Sequence, residues 1–170
     1  YEMFEQDAEV GARALGLTLT SRNNGAAAET PLAGVPVKAA AQYVKKLVEK
    51  GFRVAICEQV EDPKTAKGVV KRAVVEVITP GAVMADDLLQ EGRNTFLAAV
   101  AVAAGRAGLA AVDLSTGEFV VERLRADDLD AALARYRPSE VVLAEGVAPS
   151  AGPALLTRRE AWEFDPALAA

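Results

Sequence analysis

Apolar and polar positions follow two periods along this chain, and the switches between them mark out its elements. The densest apolar stretch runs from Arg53 to Gly81. In Arg53–Val60, Val54, Ile56 and Val60 fall on one side of an extended run and Ala55 and Cys57 on the other. This predicts a central strand covered on both faces. Val69–Thr79 follows, nearly continuous in Val and Ile, and predicts its hairpin partner. Asp62-Pro63 turns the chain between them, and Thr79-Pro80-Gly81 ends the second strand because proline has no N–H for a ladder. Upstream, Phe4, Ala8, Gly11, Ala12 and Leu15 recur at helical spacing, predicting a helix over Tyr1–Leu15 that stops at Gly16. Leu17–Thr20 predicts a short strand, Ser21–Glu29 a hairpin-type turn around Asn24-Gly25, and Thr30–Val37 an extended segment held open by Pro31 and Pro36. Ala40, Tyr43, Val44 and Leu47 form the buried stripe of a second helix, Lys38–Lys50, which Gly51 ends. Residues 1–80 therefore predict α-β-β-α-β-β.

The second half has its own pattern. Residues 82–94 lack either period and predict a linker. Phe96–Ala103, Gly108–Leu114 and Glu118–Leu124 predict three strands, the last two joined by the tight turn Ser115-Thr116-Gly117. Asp127 or Asp128 is placed to cap a helix carrying Leu129, Ala132, Leu133 and Tyr136, and Glu140–Leu143 predicts one more strand before a loop over Gly146–Pro153. Three strands, a helix and a strand open an RNase-H-like mixed sheet, which requires more elements than this reading finds before Ala170. The fold class is α/β (α+β): a small mixed-sheet domain with helices over 1–81, a linker over 82–94, and a partial RNase-H-like α/β domain over 95–170.

Composition narrows the chemistry. Of 170 residues, 51% are apolar and 25% charged, which suits a globular protein, and no apolar run is long enough for a membrane helix. There is no histidine, which removes the commonest general base and the Ser-His triads. The lone cysteine, Cys57, predicts a small buried hydrophobe, and the lack of a disulfide framework fits a reducing compartment. Residues 1–80 carry 11 Lys+Arg against 10 Asp+Glu, whereas 81–170 carry 8 against 14, so any phosphate contact belongs to the first half. Lys64, Lys67, Lys71 and Arg72 gather at the hairpin tip, as a solvated sheet edge or as a contact to phosphate or a neighbouring domain. Lys38, at a helix start where a cation is unfavourable, suggests an outside partner such as a phosphate. Asp113, with Glu118 and Glu145 nearby, allows a two-metal nuclease site; the competing reading is an Asp that hydrogen-bonds its own turn. Neither G-x-x-x-x-G-K-[ST] nor G-x-G-x-x-G occurs, so the chain itself is expected to bind no ATP.

Several stretches, in order, are similar to one family. Tyr1-Glu-Met-Phe4 with Asp7-Ala8, Thr30-Pro-Leu-Ala-Gly-Val-Pro36, Val54-Ala-Ile-Cys-Glu-Gln59, Thr79-Pro-Gly81, Asn94 with Leu97-Ala98-Ala99, and Asp113-Leu-Ser-Thr-Gly-Glu-Phe119 together resemble the N-terminal part of bacterial MutS mismatch-repair proteins. The resemblance spans essentially the whole chain. It implies a mismatch-recognition domain followed by the start of a connector domain that is RNase-H-like and not a nuclease. In that family a Phe-x-Glu motif wedges an aromatic ring beside the mispair while its Glu bonds a mispaired base. Glu2 matches the Glu, and the Phe would fall one residue before Tyr1, so the chain is expected to be an excised piece of a longer protein. The implied DNA-binding residues are Glu2, Tyr1, Lys38 and Arg22, with no catalytic or metal residue here. The implied partners are mismatched duplex DNA, a homodimer partner, and a MutL-type repair protein through the connector, with no membrane. ATP and Mg belong to the absent ATPase domain, and the location is cytoplasmic. The alternatives from other classes are a metal-dependent nuclease using Asp113 and a repair-protein interaction module.

Overall fold

A computed structural model describes residues 1–22, 29–66, 68–82, 94–147, 149 and 155–168. The predicted turn at Asn24-Gly25, Lys67 and most of the predicted linker lie outside the described residues. The chain divides into two compact units, Tyr1–Val75 and Glu76–Ala170.

The first unit begins with a strand where a helix was expected. β1 (Glu2–Phe4) leads directly into α1 (Glu5–Leu15), and Glu5 takes the left-handed φ of 51° that the reversal requires. Helical spacing does run back to Phe4, but the backbone of residues 2–4 pairs antiparallel with β3 (Thr30–Gly34), setting Glu2 opposite Gly34 and Phe4 opposite Leu32. Long-range pairing overrides local periodicity here. Phe4, expected in the buried helix stripe, is 42% exposed, whereas Ala8, Gly11 and Ala12 are buried as expected. β2 (Thr20–Arg22) pairs with the other edge of β3, giving the order β1-β3-β2. It lies later than the expected Leu17–Thr20, because Leu17 packs against the α1–β3 cluster of Ala8, Ala12 and Ala33.

Small side chains let α1 lie close on this sheet. A Cβ at Gly11 would meet Met3 Sδ at 2.5 Å. The second helix opens as a 3-10 turn, Val37–Ala39, and continues as α2 (Ala40–Glu49), burying Val44 and Val48. β4 (Val54–Gln59) and β5 (Arg72–Ile78) form a two-stranded sheet of their own. This corrects the expectation of a central strand covered on both faces. Along β4 only the Val54, Ile56 and Glu58 side is half-buried; Ala55, Cys57 and Gln59 are exposed, and β5 is exposed up to Ile78. Cys57 is therefore not a core residue. The Asp62-Pro63 turn forms as expected, with the Thr65 and Ala66 N–H groups bonding Asp62 O.

The second unit is built on a five-stranded mixed sheet. β6 (Phe96–Ala103), β7 (Arg106–Asp113) and β8 (Phe119–Arg125) run antiparallel, and β9 (Glu140–Ala144) and β10 (Leu155–Arg159) add parallel to β6 and to one another, in the order β10-β9-β6-β7-β8. This is the RNase-H-like strand order. The expected shortage of strands is corrected by β10, which follows 150–154 and whose Leu-Leu-Thr-Arg-Arg lacks a clean alternation. α3 (Leu129–Tyr136) crosses one face between β8 and β9, burying Leu129, Ala132 and Leu133 against Phe96, Ala98, Val100, Leu109, Val141 and Leu143. Of the two expected caps, Asp128 occupies the N-cap position but makes no side-chain cap bond; it and Asp127 lie in a preceding 3-10 turn, Ala126–Asp128. The Thr79-Pro80-Gly81 stop is docked on this sheet. Gly81 N–H donates to Glu140 Oε2 at 3.3 Å, and Thr157 donates to the other oxygen of this buried carboxylate.

Candidate nucleic-acid interface

Two of the four candidate DNA-binding residues, Glu2 and Arg22, meet on one face of the first unit, and Tyr1 lines the same cleft. Period-two alternation along β1 puts Glu2 and Phe4 on the face opposite α1, while Met3 points to the helix and packs with Ala8, Ala12 and Ala33. Glu2 is thus no first-turn helix acid. Its β3 neighbour is Gly34, which adds no side chain to crowd it. Arg22, on β2, reaches over the same face. Its Nη1 lies 3.6 Å from Glu2 Oε2, with both side chains about half exposed. Its guanidinium also lies 6.0 Å from the Phe4 ring centroid, within cation–π range.

Tyr1 is tied down at both ends. Its backbone nitrogen donates to Val35 O at 2.9 Å, its carbonyl accepts from Val35 N–H at 2.9 Å, and its hydroxyl donates to Glu58 on β4. The hydrogen bond to Glu58, with partial desolvation and the same carboxylate's charge, holds the Tyr1 phenol above its ordinary pKa. The residue as a whole stays 41% exposed. Behind this edge, β1, α2 and β4 enclose a cleft of about 910 Å³, floored by Met3, Val44, Leu47 and Ile56 and rimmed by Tyr1, Glu2, Arg22, Glu58 and Arg72.

Lys38 stands apart from this cluster. It is exposed in the 3-10 turn before α2, not in the helix itself, so the dipole penalty assigned to it is weaker than supposed. Of the hairpin-tip cations, Arg72 reaches the cleft rim, while the Lys64 and Lys71 backbones are held by Asp62 and Glu61. Sequence reasoning missed Phe4 and Glu58. A three-residue strand leaves too little alternation to outweigh the helical spacing that runs through Phe4.

The rival nuclease residue is occupied elsewhere. Asp113 is fully buried at the end of β7. Its Oδ1 accepts from Ser115 N–H at 2.9 Å, Ser115 Oγ–H at 2.6 Å and Thr116 N–H at 3.2 Å, and its Oδ2 from Thr95 N–H at 3.0 Å. Burial pushes this carboxyl up, but the Ser115 hydroxyl and the three N–H donors hold it below the ordinary range. Glu118 binds the Asn94 amide at 2.7 Å, and Glu145 is exposed in the turn after β9. Among the described residues no three His, Cys, Asp or Glu side chains converge to hold a metal ion. Asp113 fastens its own turn and the approach to β6, and the nuclease reading finds no support.

Comparison with known proteins matches both units. The family model "MutS domain I" matches residues 1–87 and "MutS domain II" matches residues 95–170. The chain is 48% identical over 153 residues to the DNA mismatch repair protein MutS of Symbiobacterium thermophilum, covering 87% of this chain and 18% of that protein. It is 51% identical over 127 residues to that of Bacillus subtilis, covering 73% and 15%. It is 44% identical over 177 residues to that of Desulfosudis oleivorans, covering 97% and 20%. The chain thus spans about a fifth or less of the length of these curated relatives.

Proposed function

This chain belongs to the MutS family of DNA mismatch-repair proteins, and on that premise we propose that its first unit reads mispaired or looped bases in duplex DNA while its second unit serves as a connector. The observation that carries the reading is the open β1 face. Glu2, on an edge strand opposite Gly34, keeps a half-exposed carboxylate even with the Arg22 guanidinium beside it, and its chain neighbour Tyr1 is itself exposed. Spreading a base step costs a few kcal/mol of unstacking, and this cost is lowest where a mispair already stacks poorly and the duplex kinks easily. A leading edge that inserts there discriminates through the deformability of the duplex. Glu2 then adds a hydrogen bond to an exposed base edge, accepting from a base N–H.

The residues of this chain do not fit ATP and Mg. It has no glycine-rich phosphate loop, and among the described residues no metal-holding carboxylate group, so no step is derived through either. ATP hydrolysis is assigned to domains outside these two, and no bond-breaking step to this chain. The other proposed partners are a second MutS subunit and a MutL-type protein approaching through the connector, in the cytoplasm, where bacterial DNA lies. No helix among the described residues is long and apolar enough to cross a membrane.

The test is Glu2→Ala in a full-length MutS that carries this segment. A lost base contact of about 1–3 kcal/mol should lower the preference for a G·T duplex over a matched one by roughly tenfold. An unchanged preference removes Glu2 from the reading.

A further inference from the structure

The contact between Glu2 and Arg22 gives the arginine a different task from the one its charge suggests. We propose that Arg22 is a positioning residue that aims the Glu2 carboxylate and offsets its charge, and is not a contact to the DNA backbone; this rests on the mispair-reading role of Glu2. The two residues lie on opposite edges of the sheet, Glu2 paired with Gly34 and Arg22 with Thr30 on the intervening strand, so the guanidinium has to reach across β3. It does so along the Phe4 ring, 6.0 Å from the centroid, and stops 3.6 Å from the carboxylate. A side chain serving a phosphate would extend into solvent. This one is folded back over its own sheet, drawn in one direction by an aromatic face and an anion.

The electrostatics give that placement a purpose. A lone carboxylate advancing on a duplex meets one phosphate charge per about 1.7 Å of helix axis. A guanidinium at contact distance offsets this repulsion well inside the screening length of about 8 Å. It also narrows the rotamers open to Glu2, so less freedom is lost when the base contact forms.

The test measures affinity for matched and G·T duplexes across a salt series, in a full-length MutS carrying this segment. The variants are Arg22→Ala, Arg22→Lys, Glu2→Ala and the double Glu2→Ala/Arg22→Ala. Arg22→Ala should lower the G·T-to-matched ratio about 2- to 5-fold, the range of an exposed ion pair, and leave the salt slope on matched DNA unchanged. Arg22→Lys, which keeps the cation, should restore part of the ratio, and the double variant should match Glu2→Ala alone. Equal losses on both duplexes, with a slope shallower by about 0.9, mean a phosphate contact and overturn the proposal. So does a Glu2→Ala effect without an Arg22→Ala effect. An unchanged ratio in Glu2→Ala instead overturns the role of Glu2, and this proposal with it.

Discussion

Replacing Asp113 separates a structural carboxylate from a catalytic one. Three backbone N–H groups and one hydroxyl converge on its two oxygens at 2.6–3.2 Å, and the residue is wholly buried. Hydrogen bonds to a charged group contribute about 1.5–3 kcal/mol each and do not sum. In Asp113→Asn the amide NH₂ must face at least one N–H donor, which costs about 2 kcal/mol; Asp113→Ala strands all four donors and costs about 3–4 kcal/mol. Because the folded carboxyl is held below its ordinary value of 3.8, its contribution is complete above that pH and is lost as pH falls through the folded pKa. The gap between wild type and Asp113→Asn should therefore be widest near neutral pH and shrink below about pH 4. Urea denaturation of the 170-residue chain at neutral and acid pH, followed by amide hydrogen exchange in the peptides of β6 and β7, reports on this unit. A carboxylate kept for catalysis tends to cost stability, so an Asp113→Asn protein as stable as wild type would refute the structural role.

Three further outcomes follow from packing and exposure. Gly81→Ala would place a Cβ 2.7 Å from Glu140 Cβ and 3.0 Å from Leu97 Cδ1, so it should destabilise the second unit by about 1–3 kcal/mol in the same denaturation assay. Glu140→Ala, which leaves the buried Gly81 N–H without its acceptor, should cost a similar amount, about 2 kcal/mol. Cys57 is exposed, so a disulfide reagent should titrate one thiol per chain in native buffer; reaction only after denaturation would mean that β4 is covered.

Most of the second unit was legible in the sequence because its strands are long and its helix carries a clear stripe. Hidden features depended on distant partners. Residues 2–4 read as helix until β3 is present to pair with them, and β4 read as central because nothing local reports that its second face meets solvent. β10 is set by parallel pairing with β9, which no local pattern announces. At the site, the sequence offered Tyr1, Glu2 and Arg22, but not their joining through Phe4 and Glu58. The short stretches that carried the resemblance have physical reasons here. Glu58 holds Tyr1, Gly81 clears Glu140, and Asn94, Asp113, Ser115, Thr116 and Glu118 form one hydrogen-bonded turn.

The most direct test is zero-length photocrosslinking. A duplex carrying 5-iodouracil opposite guanine is irradiated with a full-length MutS containing this segment, and the attached tryptic peptide is identified by mass spectrometry. If the β1 edge meets the mispair, the crosslink falls on the peptide that ends at Arg13, and fades when the iodouracil is paired with adenine. A crosslink confined to the five-stranded unit, or one equally strong on the matched duplex, would contradict mispair reading by this face.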